Sequence, residues 1–305
     1  MQGRLFLAMK TRIDSHLRET MGENGPDDWW NNIKGISGCS AGAIVALVMI
    51  LRIPDDDVKD LMNVACKRST FLKNPDIGTL VQQFGLDDAQ GLYDVTALAL
   101  EQAGLSRYIT LTELKRYLRK DLVVVATNVE RGQKLYISAD TFPDMEVREA
   151  VVASCRIPFV YAPKRVSEDI ALVDGGITEN QPVYFPVEST LNWATSYFVE
   201  SGFTSPRLQS ERSPVDYACS LFACITANQR NVFDPRHTLY ALCPGLENQI
   251  STFTLNEPES DIDETFKLVE IFVRDQLQGK RIIRMLAQVV LIFISFSGVV
   301  PNDES

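Results

Sequence analysis

A serine placed between two glycines is the part of this chain best suited to chemistry. Ser40 has Gly38 and Gly42 as its second neighbours. The apolar pattern around it predicts a short strand over 33–37 and a buried helix over 41–52. A serine at such a strand-to-helix turn takes a strained backbone conformation, and glycines without Cβ atoms let strand and helix close around it. The turn therefore presents the hydroxyl as a nucleophile.

The helix predicted after Ser40 meets a second requirement of this chemistry. Its first amides, beginning with that of Ala41, face the serine oxygen, and the positive end of the helix dipole favours negative charge there. An oxyanion develops when a serine attacks the carbonyl carbon of an ester. The segment therefore predicts an activated nucleophile for acyl transfer, with the Ala41 amide as an oxyanion donor.

A candidate base for this serine stands at the end of another predicted strand. The apolar residues 170–173 lead into Asp174, Gly175 and Gly176. Asp-Gly is also a common signal of a plain hairpin turn, so these residues alone leave two interpretations open. A carboxylate within hydrogen-bond reach of a serine hydroxyl can accept its proton, and this chemistry makes Asp174 a candidate general base.

Three segments together resemble the motifs of the patatin-like phospholipase family. They are G-x-S-x-G at 38–42, Ala-Ser-x-x-x-Pro at 153–158 and Asp-Gly-Gly at 174–176. Residues 123–128 and 131–138 resemble the central strand pair of that family. Because composition hardly explains three motifs in this order, the resemblance is specific.

The resemblance covers about residues 3–186 and carries expectations for fold and activity. It implies an α/β fold, a three-layer sandwich with a mostly parallel central sheet flanked by helices, and a C-terminal extension. It also implies a lipid acyl hydrolase of the phospholipase A type, with Ser40 as nucleophile and Asp174 as general base of a dyad without histidine. The expected partners are a phospholipid or another acyl lipid and, transiently, a membrane surface. Neither a metal nor a cofactor is expected.

The start of the chain departs from the family pattern. The family opens with a strand and a Gly-Gly-Gly-x-x-Gly loop whose amides bind the oxyanion, whereas this chain begins Met-Gln-Gly-Arg. Gly3 matches the last glycine of that loop and is expected to donate beside Ala41. The catalytic domain is therefore expected to be N-terminally incomplete, or the enzyme impaired, because losing one oxyanion donor costs about 10²–10³ in turnover.

Two other functions stay open at this point. The chain order Ser40, Asp174, His237 fits the triad of an α/β-hydrolase esterase. Against it, His237 opens an apolar strand predicted over 237–242, where a histidine is usually structural. The missing glycine loop supports the second alternative, a catalytically impaired lipid-binding protein descended from a patatin-like enzyme.

The charge of the chain limits its partners. Forty acidic residues against thirty basic ones give a net charge of −10, which argues against nucleic acid and against electrostatic attachment to anionic lipid. Contact with a membrane therefore has to come from apolar surface. A start without a signal-peptide pattern predicts a cytoplasmic location. The cysteines form no C-x-x-C pair and are expected to be reduced: Cys39, Cys66, Cys155, Cys219, Cys224 and Cys243.

Three parts are expected along the 305-residue chain. Residues 1–186 form the catalytic domain, and 187–280 continue the same α/β unit with a surface loop near 201–214. Residues 281–305 hold an apolar segment and an acidic tail. The apolar stretch 285–300 is short for a membrane span, so it is either a packed C-terminal element or an attachment to the membrane.

Overall fold

The computed structural model describes residues 14–15, 17–19, 21–65 and 68–179, and the backbone of three further strands at 195–201, 238–242 and 289–292. Gly3, His237 and most of the 201–214 segment lie outside the described residues. The α-helices within residues 25–179 are α1 Gly25–Asn32, α2 Ala41–Ile50, α3 Asp55–Ala65, α4 Arg68–Phe71, α5 Ile77–Gln83, α6 Gln90–Gln102, α7 Leu111–Leu118 and α8 Val147–Ser154.

The described strands form one large sheet and one small one. Hydrogen-bonded neighbours follow the order β6-β7-β3-β1-β10-β8-β9 in the large sheet, with β4 also paired to β3, while β2 and β5 pair separately. The strands are β1 Gly35–Cys39, β2 Gly85–Asp87, β3 Asp121–Asn128, β4 Gln133–Ile137, β5 Phe159–Tyr161, β6 Lys164–Ser167, β7 Ile170–Asp174, β8 Thr195–Ser201, β9 Thr238–Leu242 and β10 Val289–Ile292.

The pairings of the large sheet are parallel from β3 through β1, β10 and β8 to β9, and antiparallel around β4, β6 and β7. All five residues of β1 are buried, as are seven of the eight in β3. Side chains alternate between the two faces of a strand, so burial along the whole strand means that both faces of the sheet are covered. The expected α/β sandwich is confirmed.

One edge of β3 brings two strand ends together. Val125 of β3 pairs with Cys39 of β1, and the next residue, Ala126, pairs with Asp174 of β7. On their other side, Val125 and Ala126 both pair with β4. β1 and β7 therefore share the same edge of β3, one after the other. Because β1 runs parallel to β3 and β7 runs antiparallel, their carboxyl ends meet at the middle of β3. Ser40 follows the end of β1 directly.

The helix after Ser40 forms as the sequence predicts, although it ends at Ile50 rather than at residue 52. Its sequence AGAIVALVMI is apolar throughout, and eight of its ten residues are buried against β1, β3 and the neighbouring helices. A helix that is apolar on all sides is stable only inside a protein core. The nucleophile turn therefore rests on a rigid, buried support.

The apolar stretch 285–300 contains a strand of the large sheet. β10 pairs with β1 through Ile36 and Val290 and continues to β8 on its other side. Residues 289–292 therefore form a packed element, which is one of the two expectations for this stretch. Within the part of the chain that the structure describes, no helix is long and apolar enough to cross a membrane.

Candidate active site

Ser40 and Asp174 are brought together across the meeting point of β1 and β7. The hydroxyl of Ser40 donates a hydrogen bond to Oδ2 of Asp174 at 2.6 Å. Asp174 is fully buried, and only 5% of Ser40 is exposed. Residues that are 134 positions apart thus form one buried hydroxyl–carboxylate pair. This is the arrangement in which a carboxylate can take the serine proton directly.

The backbone of Ser40 has the strained conformation expected of a nucleophile turn. Its φ of 54° and ψ of −130° lie in a region that residues with a Cβ atom rarely adopt. Gly38 makes the turn possible, because a Cβ at this position would lie 2.2 Å from the carbonyl oxygen of Gly42. Ala41 is the first residue of α2, so its amide is among those that lack a carbonyl partner within the helix.

The Asp-Gly-Gly turn holds the carboxylate in place. The amide of Gly176 donates to Oδ1 of Asp174 at 2.8 Å, which leaves Oδ2 for Ser40. Gly175 packs against β3 so closely that a Cβ there would lie 2.2 Å from the carbonyl oxygen of Val125. Thr127 of β3 also donates to the backbone carbonyl of Asp174 at 2.9 Å. The turn is therefore part of the site rather than a plain hairpin.

Burial makes Asp174 a stronger base than an ordinary aspartate. It raises the pKa of Asp174 from 3.8 to about 7, although the hydrogen bonds from Ser40 and Gly176 act in the opposite direction. A general base works best when its pKa lies near the working pH. The raised pKa therefore offsets the weak basicity that an ordinary carboxylate has at neutral pH.

The end of α8 fixes the backbone of the nucleophile. The hydroxyl oxygen of Ser154 accepts from the amide of Ser40 at 2.9 Å, and the same hydroxyl donates to the carbonyl oxygen of Val125 at 2.5 Å. The thiol of Cys155 donates to the carbonyl oxygen of Ser40 at 3.0 Å. Sequence reasoning found Ser154 within the Ala-Ser-x-x-x-Pro motif but assigned it no role.

The two cysteines beside Ser40 are poor nucleophiles. Burial raises the pKa of the Cys39 thiol and of the Cys155 thiol, and the negative charge of Asp174 raises both further. A thiol attacks as its thiolate, which is scarce when the pKa is high. Ser40, with a carboxylate at its hydroxyl, is therefore the better candidate nucleophile.

Replacing Ser154 with alanine is expected to loosen the nucleophile. The buried amide of Ser40 and the carbonyl of Val125 both lose a partner, and each unsatisfied group costs about 1–3 kcal/mol. We expect a lower melting temperature and a kcat for a soluble ester reduced about 10–100-fold, with KM little changed. Steady-state kinetics and thermal unfolding measure both effects.

The matched control is Ser37→Ala. Ser37 is also fully buried and lies three residues before Ser40, but its hydroxyl has no hydrogen-bond partner among the residues that the structure describes. This change is expected to leave kcat and stability nearly unchanged. If Ser154→Ala behaved like Ser37→Ala, Ser154 would not position the nucleophile.

β9, the strand that follows His237 in the chain, does not lie next to β1 in the sheet. β9 begins at Thr238 and is separated from β1 by β10 and β8. Neighbouring strands lie about 4.8 Å apart, so β9 is about 14 Å from β1. Among the residues that the structure describes, no group of three or more His, Cys, Asp or Glu side chains has the arrangement of a metal site.

The family follows from sequence comparison. The sequence model of the Patatin-like phospholipase family matches residues 27–187, which is more than half of the chain and contains Ser40, α8 and Asp174. This chain belongs to the patatin-like phospholipase family.

Two curated relatives are viral proteins. The chain is 28% identical over 155 residues to an uncharacterized protein of Acanthamoeba polyphaga mimivirus, covering 50% of each chain. It is 25% identical over 154 residues to a probable lipid hydrolase of Invertebrate iridescent virus 6, covering 50% of this chain and 53% of that one. The chain thus spans about half the length of the curated relatives it matches.

Two solved structures of bacterial proteins align with most of this chain. VipD from Legionella pneumophila superposes with a TM-score of 0.49 at 15% identity, covering 91% of this chain and 65% of that chain. The type III effector protein ExoU superposes with a TM-score of 0.46 at 14% identity, covering 91% of this chain and 51% of that chain.

Proposed function

We propose that this protein is a lipid acyl hydrolase of the phospholipase A type that works through a Ser40–Asp174 dyad. The observation that carries the proposal is the 2.6 Å hydrogen bond from a strained, buried serine to a carboxylate whose pKa is raised to about 7. The expected substrate is a phospholipid or another acyl lipid. The expected partner is a membrane surface, contacted transiently from the cytoplasm.

The first half-reaction transfers the acyl group to the enzyme. Oγ of Ser40 attacks the ester carbonyl carbon while Asp174 accepts the hydroxyl proton on Oδ2. The carbonyl oxygen becomes an oxyanion, which the amide of Ala41 at the start of α2 stabilises. Asp174 then returns the proton to the leaving alcohol, a lysophospholipid if the substrate is a phospholipid, and the acyl group stays on Ser40.

The second half-reaction releases the acyl group as a fatty acid. Asp174 accepts a proton from a water molecule as its oxygen attacks the acyl-enzyme carbonyl carbon. Collapse of the intermediate breaks the bond to Ser40 and returns the proton to its oxygen. The amide of Ser40 already donates to Ser154, so the Ala41 amide is the donor we assign to the oxyanion in both steps.

A dyad fits the structure better than the triad of an α/β-hydrolase. Asp174 reaches Oγ of Ser40 directly, which leaves no room between the two for an imidazole. β9, the strand that follows His237 in the chain, is separated from β1 by β10 and β8, which also favours the dyad.

An active enzyme also fits better than a lipid-binding protein without catalysis. A strained residue of this kind costs about 1–3 kcal/mol, and a buried carboxylate with a raised pKa costs stability as well. Both features serve a nucleophile and its base, whereas binding lipid requires neither.

Labelling with a fluorophosphonate tests the proposal. This reagent modifies an activated serine, so we expect one label on Ser40 and none in Ser40→Ala. Since Asp174 has to be ionised, the labelling rate is expected to rise about tenfold per pH unit below 7 and to level off above it. Mass spectrometry identifies the labelled residue and measures the rate of labelling.

Product analysis completes the test. Phosphatidylcholine vesicles are expected to yield a free fatty acid and a lysophospholipid, which thin-layer chromatography separates. An unlabelled Ser40 in folded protein would remove the proposed function. If Ser40 were labelled but fatty acid were released only from neutral glycerides, the dyad would be supported and the phospholipase assignment would be wrong.

A further inference from the structure

The short helix α5 exposes its apolar side chains to solvent. Ile77 and Val81 lie four residues apart on one face, and each is 73% exposed. Phe84, which ends the helix, is 68% exposed. Residues four apart on a helix are neighbours on its surface, so Ile77 and Val81 form an apolar strip, and Phe84 follows directly after the helix.

A fourth apolar side chain extends the strip from another part of the chain. Phe159 begins β5 and pairs with Gly85, the residue directly after Phe84. It is 58% exposed. We call Ile77, Val81, Phe84 and Phe159 the apolar patch.

Both phenylalanines of the patch have unfavourable backbone conformations. Phe84 has a φ of 62° and Phe159 a φ of 67°, values that favour glycine or asparagine over a bulky residue. In the folded protein these side chains gain little from burial, because they are mostly exposed. The free-energy cost of these two conformations indicates that the side chains serve an interaction with another molecule rather than the stability of the fold.

One residue of the patch follows closely, along the chain, a residue that contacts Ser40. Cys155 contacts the carbonyl of Ser40 through its thiol, and Phe159 follows Cys155 by four residues. Four residues span at most about 14 Å. Phe159, one of the four residues of the patch, is therefore within about 14 Å of Cys155, which lies beside Ser40.

The chemistry of the patch favours lipid over a charged partner. Residues 77–86 carry no charged side chain, in a protein whose net charge is −10. Such a surface offers no complement to a basic or an acidic protein, whereas aliphatic and aromatic side chains partition well into a bilayer interface.

The size of the patch argues against a second copy as its partner. Four exposed side chains present on the order of 500 Å². A stable protein interface buries about 800 Å² on each partner.

We propose that the apolar patch docks the protein on a lipid bilayer by shallow insertion of its side chains, next to the site where an ester bond is cleaved. This inference rests on the proposed function, since a lipid hydrolase has to reach substrate held in a lipid surface. Docking of this kind depends on apolar area and hardly on lipid charge or salt.

Vesicle flotation tests the docking separately from catalysis. Binding is measured on Ser40→Ala protein, with vesicles of phosphatidylcholine alone and of equal parts phosphatidylcholine and phosphatidylserine. The patch variant is Val81→Gln with Phe84→Asn, because glutamine suits an exposed helix position and asparagine tolerates a positive φ. We expect binding at least about tenfold weaker than that of the parent protein.

Tyr117→Gln is the matched control. Tyr117 lies on α7, away from the patch in sequence, and is 66% exposed. It is expected to leave vesicle binding unchanged. Proteins that retain Ser40 are assayed on a short-chain ester dissolved as monomers, where the patch variant is expected to keep its turnover.

Several outcomes would overturn the docking proposal. One is unchanged vesicle binding by the patch variant. If that variant also formed smaller oligomers than the parent protein, the patch would be a self-association surface. Binding that needs phosphatidylserine and disappears in high salt would point to a charged surface instead. Loss of ester turnover in the parent protein would remove the proposed function, while the flotation result would still decide on docking.

Discussion

Ser40→Ala and Asp174→Asn are each expected to reduce ester hydrolysis by about 10⁴-fold. The first removes the atom that attacks, and the second removes the group that takes its proton over a 2.6 Å hydrogen bond. The measurement is kcat for a soluble activated ester. Circular dichroism and thermal unfolding have to show that both variants are folded.

Asp87→Asn is the control for the loss of a buried carboxylate. Asp87 is also fully buried, but it accepts from the amides of Asn74 and Ala89 rather than from a serine hydroxyl. This variant is expected to lose stability and to keep its turnover while folded. Near-full activity of Asp174→Asn in folded protein would contradict the role of Asp174 as base.

The same Asp174→Asn variant is expected to be more stable than the natural protein at pH 8. Burial raises the pKa of Asp174 to about 7, so the folded protein binds a proton more tightly than the unfolded chain does. Ionising this carboxyl above pH 7 therefore costs folding free energy, on the order of 2–4 kcal/mol for a shift of about three pKa units. A neutral amide avoids that cost.

The gain in stability should depend on pH in one direction. The favourable contribution of protonated Asp174 is fully present below about pH 4 and is lost as the pH rises through about 7. The advantage of Asp174→Asn should therefore grow from near zero at pH 4 to its full size at pH 8. Urea unfolding at several pH values measures it. An equal difference at every pH would show that the carboxyl is not perturbed.

The chemistry of the site could be predicted because its signals are local. The spacing of Gly38, Ser40 and Gly42 depends on one turn, and the structure shows that a side chain at Gly38 would collide with the carbonyl of Gly42. The position of Asp174 depends on the end of one strand and the glycines that follow. Each motif is recognisable because it reflects the close packing of only a few residues that are neighbours in sequence.

The way in which the motifs meet could not be predicted, because strand pairing is not local. Nothing in residues 170–173 indicates that β7 runs antiparallel to β3 and ends opposite the tip of β1. The role of Ser154 depends on the same arrangement, since its hydroxyl bridges Ser40, directly after β1, and Val125 of β3. The segment that contains the strand at 289–292 shows only an apolar pattern, which is also compatible with a membrane attachment.

The position of β10 has a consequence for how the protein is made. Ile36 of the nucleophile strand pairs with Leu122 on one side and with Val290 on the other. During synthesis, domains acquire structure as the chain leaves the ribosome from its N-terminal end. The strand that carries Ser40 into its turn therefore remains without its second neighbour until residues 289–292 have emerged. Such distant pairing is slow to form, so the complete sheet around the nucleophile is a late product of synthesis.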